Sequence, residues 1–199
     1  MNDIIAIDPG PRQSTVLGCS AFFWTRNEAN QNVLNMVRGW GAQGNLILAI
    51  EMVGVASIAG HDIFHTCLWI GRFIEAFAGK YLLVYRKSSP VVNTWDPEHT
   101  CGLGVCMHLC NRTNKVGDPD IRQALIDRYG GQDAAIGGLR CPRCHGKGWV
   151  GRGRPTCPEC NGGGFAAKPG PLHNISSHGW SALAVAVTAA DWLKSQGKV

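Results

Sequence analysis

Two short apolar runs constrain this chain most. Ile4-Ile-Ala-Ile and Leu46-Ile-Leu-Ala-Ile are uninterrupted by polar residues, and each is closed by an acid, Asp8 and Glu51. Runs of that length read as buried strands, and the Pro9-Gly10 pair turns the chain after the first. Residues 14–24 are rich in β-branched and aromatic side chains and suit a second strand, hairpin-paired with the first. Residues 33–37 give a weaker third strand, and residues 81–85 return to strand character. Ile63, Phe64, Cys67, Ile70, Ile74 and Phe77 fall at helical spacing. Asp118 followed by Pro119 predicts the start of a helix over 118–129. The Ala- and Leu-rich segment 177–193 predicts a last, strong helix. Strands first, then strands and helices in alternation, define an α/β class: a mixed sheet with helices on its faces.

With 199 residues, 45% of them hydrophobic, the chain can build such a core. Its glycine and proline are concentrated elsewhere. Residues 137–171 hold ten of the 26 glycines and five of the ten prolines, with little apolar periodicity. They read as an insert between a first part of the core, residues 1–136, and its last helix, residues 172–199. Residues 87–117 form the other irregular stretch, and a structureless stretch of that length is uncommon in a compact domain. Net charge is +5, and it is local: residues 140–168 carry six basic residues against one acid, while the rest balances at 13 and 13. A basic segment of this kind suits a phosphate-bearing partner.

Nine cysteines without a secretory leader argue against a disulfide scaffold and for reduced thiols in a soluble, cytoplasmic protein. No segment is apolar enough to suggest a membrane span. Four of the cysteines form one pattern twice, at a spacing of 16: Cys141-Pro-Arg-Cys144-His-Gly-Lys-Gly148 and Cys157-Pro-Glu-Cys160-Asn-Gly-Gly-Gly164. Two CxxC turns supply the four thiolates of a tetrahedral Zn²⁺ site. The repeat resembles half of the cysteine-rich zinc domain of DnaJ-type chaperones. His145 reads as a bystander and Cys19 and Cys67 as core thiols. Cys101, Cys106 and Cys110, near His99 and His108, have no standard ligand spacing.

The two strand-end acids carry the chemistry. A carboxylate closing a buried strand is costly unless solvated, paired or bound to metal. If the two strands are adjacent, Asp8 and Glu51 converge and can bridge Mg²⁺ or Mn²⁺, which take oxygen ligands. A pair of such ions serves phosphodiester hydrolysis. At this point the sequence resembles a family. Ile4-Ile-Ala-Ile-Asp-Pro-Gly-Pro-Arg12 is similar to the first strand of RuvC-type Holliday junction resolvases, which have an RNase H-like fold. Leu48-Ala-Ile-Glu51 is similar to their second acidic motif, residues 60–73 to the helix that follows it, and His178-Gly-Trp-Ser-Ala-Leu-Ala to their final helix. Residues 118–126 resemble the segment that precedes a zinc insert in phage-encoded members.

The resemblance implies a metal-dependent endonuclease acting on branched DNA in recombination, working as a homodimer, in the host cytoplasm if phage-encoded. It implies Asp8, Glu51 and His178 as metal-binding and catalytic residues. It departs from the family at Ser181, where a carboxylate is usual, and Asp118 is a candidate to contribute in its place. Asp191, about 15 Å further along the same helix, is too distant. Candidate phosphate contacts are Lys115, Arg122, Arg143, Lys147, Arg152 and Arg154. The alternative is a catalytically weak or inactive protein that binds branched or structured nucleic acid without cutting it.

Overall fold

The computed structural model describes residues 3–19, 23–42, 44–53, 60–86, 105–107, 118–138, 140–145, 147–164 and 169–197. They form two compact units, Met1–Arg122 with Ile175–Val199, and Gln123–Asn174.

The first unit is built on a six-stranded mixed sheet of order β3-β2-β1-β4-β5-β6. Its strands are β1 (Asp3–Asp8), β2 (Gln13–Cys19), β3 (Phe23–Ala29), β4 (Leu46–Met52), β5 (Lys80–Arg86) and β6 (Val105–Met107). The first three are antiparallel neighbours, and β4, β5 and β6 add in parallel on the other side of β1. This is the mixed sheet with flanking helices that the strand and helix pattern leads one to expect. Strand β6 falls within the stretch 87–117 that reads as irregular in the sequence.

The strands at the centre are apolar on both faces because both are covered. On one face Ile5, Ile7, Val16, Leu48 and Ile50 pack with Val33, Leu34 and Val37 of α1 (Asn30–Gly41) and with Ile70 and Phe73 of α2 (His61–Ala76). The alternate residues, Ile4, Ala6, Ile47 and Ala49, are equally buried and belong to the other face. There the last helix of the chain, labelled α5 below (Gly179–Ser195), lies across the strands. From Gly179 to Ala189 every residue of it is buried. Six of those eleven are Gly, Ala or Ser, which lets the backbone lie close to the strands.

One sequence expectation is corrected. Residues 33–37 are helical, not a strand, and lie inside α1. Asn30, Val33, Leu34 and Val37 are its buried residues, a spacing of three and four, while Gln31, Asn32, Asn35 and Arg38 are exposed. A five-residue window, four of its members apolar, is too short to show that period. The expected second strand, 14–24, is likewise two strands, β2 and β3, paired antiparallel with Gln13 opposite Ala29.

Asn30 is one of the buried polar residues, 1% exposed. Its Nδ2 donates to the carbonyl of Gly10 at 2.9 Å, and its Oδ1 accepts from Ser14 Oγ at 2.7 Å. The backbone N–H of Asn30 donates to the Arg12 carbonyl at 3.0 Å. Together these tie the start of α1 to the turn that leaves Asp8. Gly10 is required in that turn, because a Cβ there would stand 2.5 Å from the Gln13 carbonyl oxygen.

The second unit comprises the greater part of α3 (Asp118–Arg128), α4 (Gln132–Ala135), the cysteine module and the chain returning from it. Leu125, Ile126, Ala135 and Leu172 are its buried aliphatic residues among those described. The module's two ends are tied together: Gly170 N–H donates to the Ile136 carbonyl and Leu172 N–H to the Ala135 carbonyl, each at 2.8 Å.

Replacing Asn30 with Ala leaves the Gly10 carbonyl and the Ser14 hydroxyl without this partner inside the protein. Urea unfolding of Asn30→Ala is expected to show a loss of about 1–3 kcal/mol. An unchanged midpoint would show that the turn is held by other means.

Candidate functional site

Strand β1 ends at Asp8, and β4 continues through Glu51. The two strands are parallel neighbours in a register that ends with Ile7 opposite Ile50. One step further, Asp8 and Glu51 stand level on adjacent strands, about 4.8 Å apart at the backbone. Alternation turns both away from the Ile7–Ile50 face and toward the face that carries α5.

His178 immediately precedes α5. Its side chain makes no capping hydrogen bond and is 68% exposed, so it neither caps the helix nor packs into the core. Its Nδ1 lies 3.2 Å from Asp8 Oδ2, and Asp8 is 15% exposed. The chain reaches this position through a tight turn. Ser177 takes a left-handed backbone with φ of 42°, and Gly179 N–H and Trp180 N–H donate back to the Ser176 and Ser177 carbonyls at 2.8 and 3.2 Å. A non-glycine residue is uncommon in that region.

Asp8, Glu51, Asp118 and His178 all line one open depression of about 410 Å³. A groove of about 600 Å³ adjoins it, sharing Asp8 and His178 and bounded by Arg12, Asn27, Asp62 and Thr66. Three carboxylates and an imidazole line this open, water-accessible depression; carboxylate oxygens are the donors a hard divalent cation takes, but here the ligand atoms do not close to within 4.8 Å of one another as a set of three. Ser181 lies one turn beyond His178 and is 3% exposed. Helix α5 runs unbroken from Gly179 to Ser195, which puts Asp191 about 15 Å along the axis from Ser181. Asp191 does not line the depression.

The second candidate centre is the cysteine module. Cys141, Cys144, Cys157 and Cys160 gather their sulfurs within 4.8 Å, the one such group of three or more metal-ligating side chains among the described residues. The Cys141–Cys157 and Cys144–Cys160 Sγ separations are 3.8 and 3.6 Å. Four sulfurs about 2.3 Å from a tetrahedral Zn²⁺ stand about 3.8 Å apart, so the cluster could hold zinc.

The sequence repeat is also a repeat of backbone geometry. His145 and Asn161, each following the second cysteine of its pair, have φ of 51° and 47°, and Gly148 and Gly164 both have φ of 75°. The N–H of each of those glycines donates to a cysteine sulfur, Cys144 and Cys160 respectively, at 3.3 Å in both. A Cβ at Gly148 would collide with the Gly162 carbonyl oxygen. Without a metal, burial pushes the Cys160 thiol up to about 11. A metal would therefore have to displace protons on binding. His145 is exposed and outside the cluster.

The candidate phosphate contacts differ in their surroundings. Arg143 is paired with Glu159 at 3.4 Å. Lys147 and Arg154 both stand over the Trp149 ring, 5.4 and 5.0 Å from its centroid, and Arg152 is exposed. Arg122 stacks over Trp180 at 5.3 Å. Lys115, Cys101, Cys110, His99, His108 and the side chains of Cys19 and Cys106 lie outside what is described. Cys67, on α2, is half-buried. No described helix is long and apolar enough to cross a membrane.

Arg12 and Thr66 on the groove fall in the segments that carry the family resemblance, 4–12 and 60–73, but neither was given a role from sequence. Asp62 was not singled out, because only folding brings α2 to the groove.

Neither known family models nor curated protein sequences give a match to the chain. Among solved structures it is similar to one titled "Thermus thermophilus RuvC structure", at 10% identity and a TM-score of 0.45, over 98% of this chain and 97% of that one.

Elemental analysis of reduced protein is expected to find one zinc per chain, falling at least about tenfold in affinity in Cys160→Ser. Asp8→Asn should keep its zinc. Equal zinc in wild type and Cys160→Ser would exclude the cysteine site.

Proposed function

We propose that the protein is a divalent-metal-dependent, structure-selective endonuclease that hydrolyses phosphodiester bonds in branched DNA such as Holliday junctions. The observation that carries this reading is the 3.2 Å contact between His178 and Asp8 at a depression also lined by Glu51 and Asp118. In this reading Asp8, Glu51 and Asp118 would hold Mg²⁺ or Mn²⁺, with His178 beside them. When bound, the ions supply a more acidic water and neutralise charge on the phosphate oxygens.

The chain's own groups have separate tasks. Asp8 Oδ2 accepts from the His178 Nδ1–H and so fixes the tautomer that leaves Nε2 with its lone pair. That nitrogen belongs to a largely exposed ring and is open to take a proton from an attacking water. Arg12, on the adjoining groove, meets the charge of the bound strand. Asn30 and Ser14 keep the turn that carries Arg12 in place. Arg122, Lys147, Arg152 and Arg154, with Lys115, add sequence-independent phosphate affinity that falls with salt. Arg143 contributes less while it is paired with Glu159. Two symmetric cuts across a junction call for a homodimer, and such an enzyme would work in the cytoplasm where recombination intermediates form.

One observation favours a second reading. Ser181, where related enzymes would carry a carboxylate, is a buried hydroxyl and a poor cation ligand. In that reading the protein binds branched or structured nucleic acid and cuts it slowly or not at all.

A synthetic four-way junction with Mg²⁺ or Mn²⁺ separates the two. Cleavage by wild type that falls about 100-fold or more in Asp8→Asn and in His178→Ala supports the nuclease. Cleavage by Asp8→Asn at the wild-type rate would sink the mechanism. Tight junction binding without cleavage, not restored by Ser181→Asp, would establish the binder.

A further inference from the structure

The first two turns of α2 place His61 and His65 four residues apart on one side of the helix. Both are exposed, so no packing requirement explains their position. Yet the rings approach closely, with centroids 4.2 Å apart and an interplanar angle of 41°. The contact is made by the two Nε2 atoms, 3.0 Å from each other.

That separation is the bite of a chelate. Two imidazole nitrogens about 2.0–2.1 Å from one ion, with roughly 90–100° between the bonds, stand about 3 Å apart. The second nitrogen of His61 has a partner of the right kind. Nδ1 lies 3.8 Å from Asp62 Oδ1, and both side chains are exposed enough to close that gap by a small rotation. A carboxylate behind a histidine fixes the tautomer that presents Nε2 to a metal and raises its basicity. As a hydrogen bond alone, a contact between two exposed imidazoles would have to compete with water at every moment.

We propose that His61 and His65 form a two-nitrogen binding site for a borderline transition-metal ion of the Zn²⁺, Ni²⁺ or Cu²⁺ class. The site uses none of the cysteine ligands and none of the residues lining the Asp8 depression, and its remaining positions are open to water. Imidazole nitrogen suits these ions and not Mg²⁺, so the site and the carboxylate depression select different metals. The helix holds both ligands in place before the ion arrives, so little side-chain freedom is lost on binding.

Ni²⁺ is the probe, titrated calorimetrically into full-length protein whose cysteine site is already loaded with zinc. Wild type is expected to take up one Ni²⁺ per chain that excess Mg²⁺ does not displace. His61→Gln and His65→Gln should each weaken it at least about tenfold, since each leaves a single imidazole. Asp62→Asn should weaken it less than either. Zinc content and the unfolding midpoint should be unchanged in all three, because exposed glutamine and asparagine disturb no packing here. Asp8→Asn should bind Ni²⁺ as wild type does, which separates this site from the proposed nuclease centre. No Ni²⁺ uptake by wild type, or uptake that survives in the His61→Gln/His65→Gln double variant, would overturn the assignment.

Discussion

The parallel register of β1 and β4 is the constraint on which the rest depends. Ile7 pairs with Ile50, so the next residues on each strand emerge together at the sheet's end. Carboxylates tolerate that position only because the strands stop being buried there. Inside the sheet, the same alternation that hides Ile7 and Ile50 under α1 and α2 directs Asp8 and Glu51 to the α5 face. A shift of one residue in this register would separate the two acids and bury one of them. The buried Asn30–Ser14 pair then fixes the turn beyond Asp8, so the site's geometry is set by polar contacts as well as by packing.

The second unit solves a different problem. Its residues 140–164 contain few apolar side chains able to form a core, and three of the four sulfurs are among the buried groups. A metal held by the four sulfurs would supply the cohesion that such a segment lacks, by binding energy that is also folding energy. The glycines serve this economy of space. Gly148 and Gly164 take left-handed backbone angles that let their N–H groups reach sulfur, once in each half of the repeat.

What was legible in the sequence follows from period and spacing. The uninterrupted runs before Asp8 and Glu51 marked central strands, and the CxxC pairs marked a four-sulfur cluster. Helix α1 was missed because its apolar stripe is interrupted by asparagines and glutamine, and one member of the stripe is itself polar, Asn30. The partners of Asn30 lie 16 and 20 residues away, a distance at which no local pattern signals a hydrogen bond. Asp118 was considered only as a substitute for a missing acid. Its place on the same depression as Asp8 depends on the fold, which composition does not encode.

The backbone bonds from Gly170 to Ile136 and from Leu172 to Ala135 have a consequence for how such a chain can change over time. The polypeptide departs and comes back at almost the same point, so everything between is a cassette hung on a closed clasp. The pairing of β1 with β4 uses no residue between the two bonds, so the length of the cassette and the strand-end register are set by different residues.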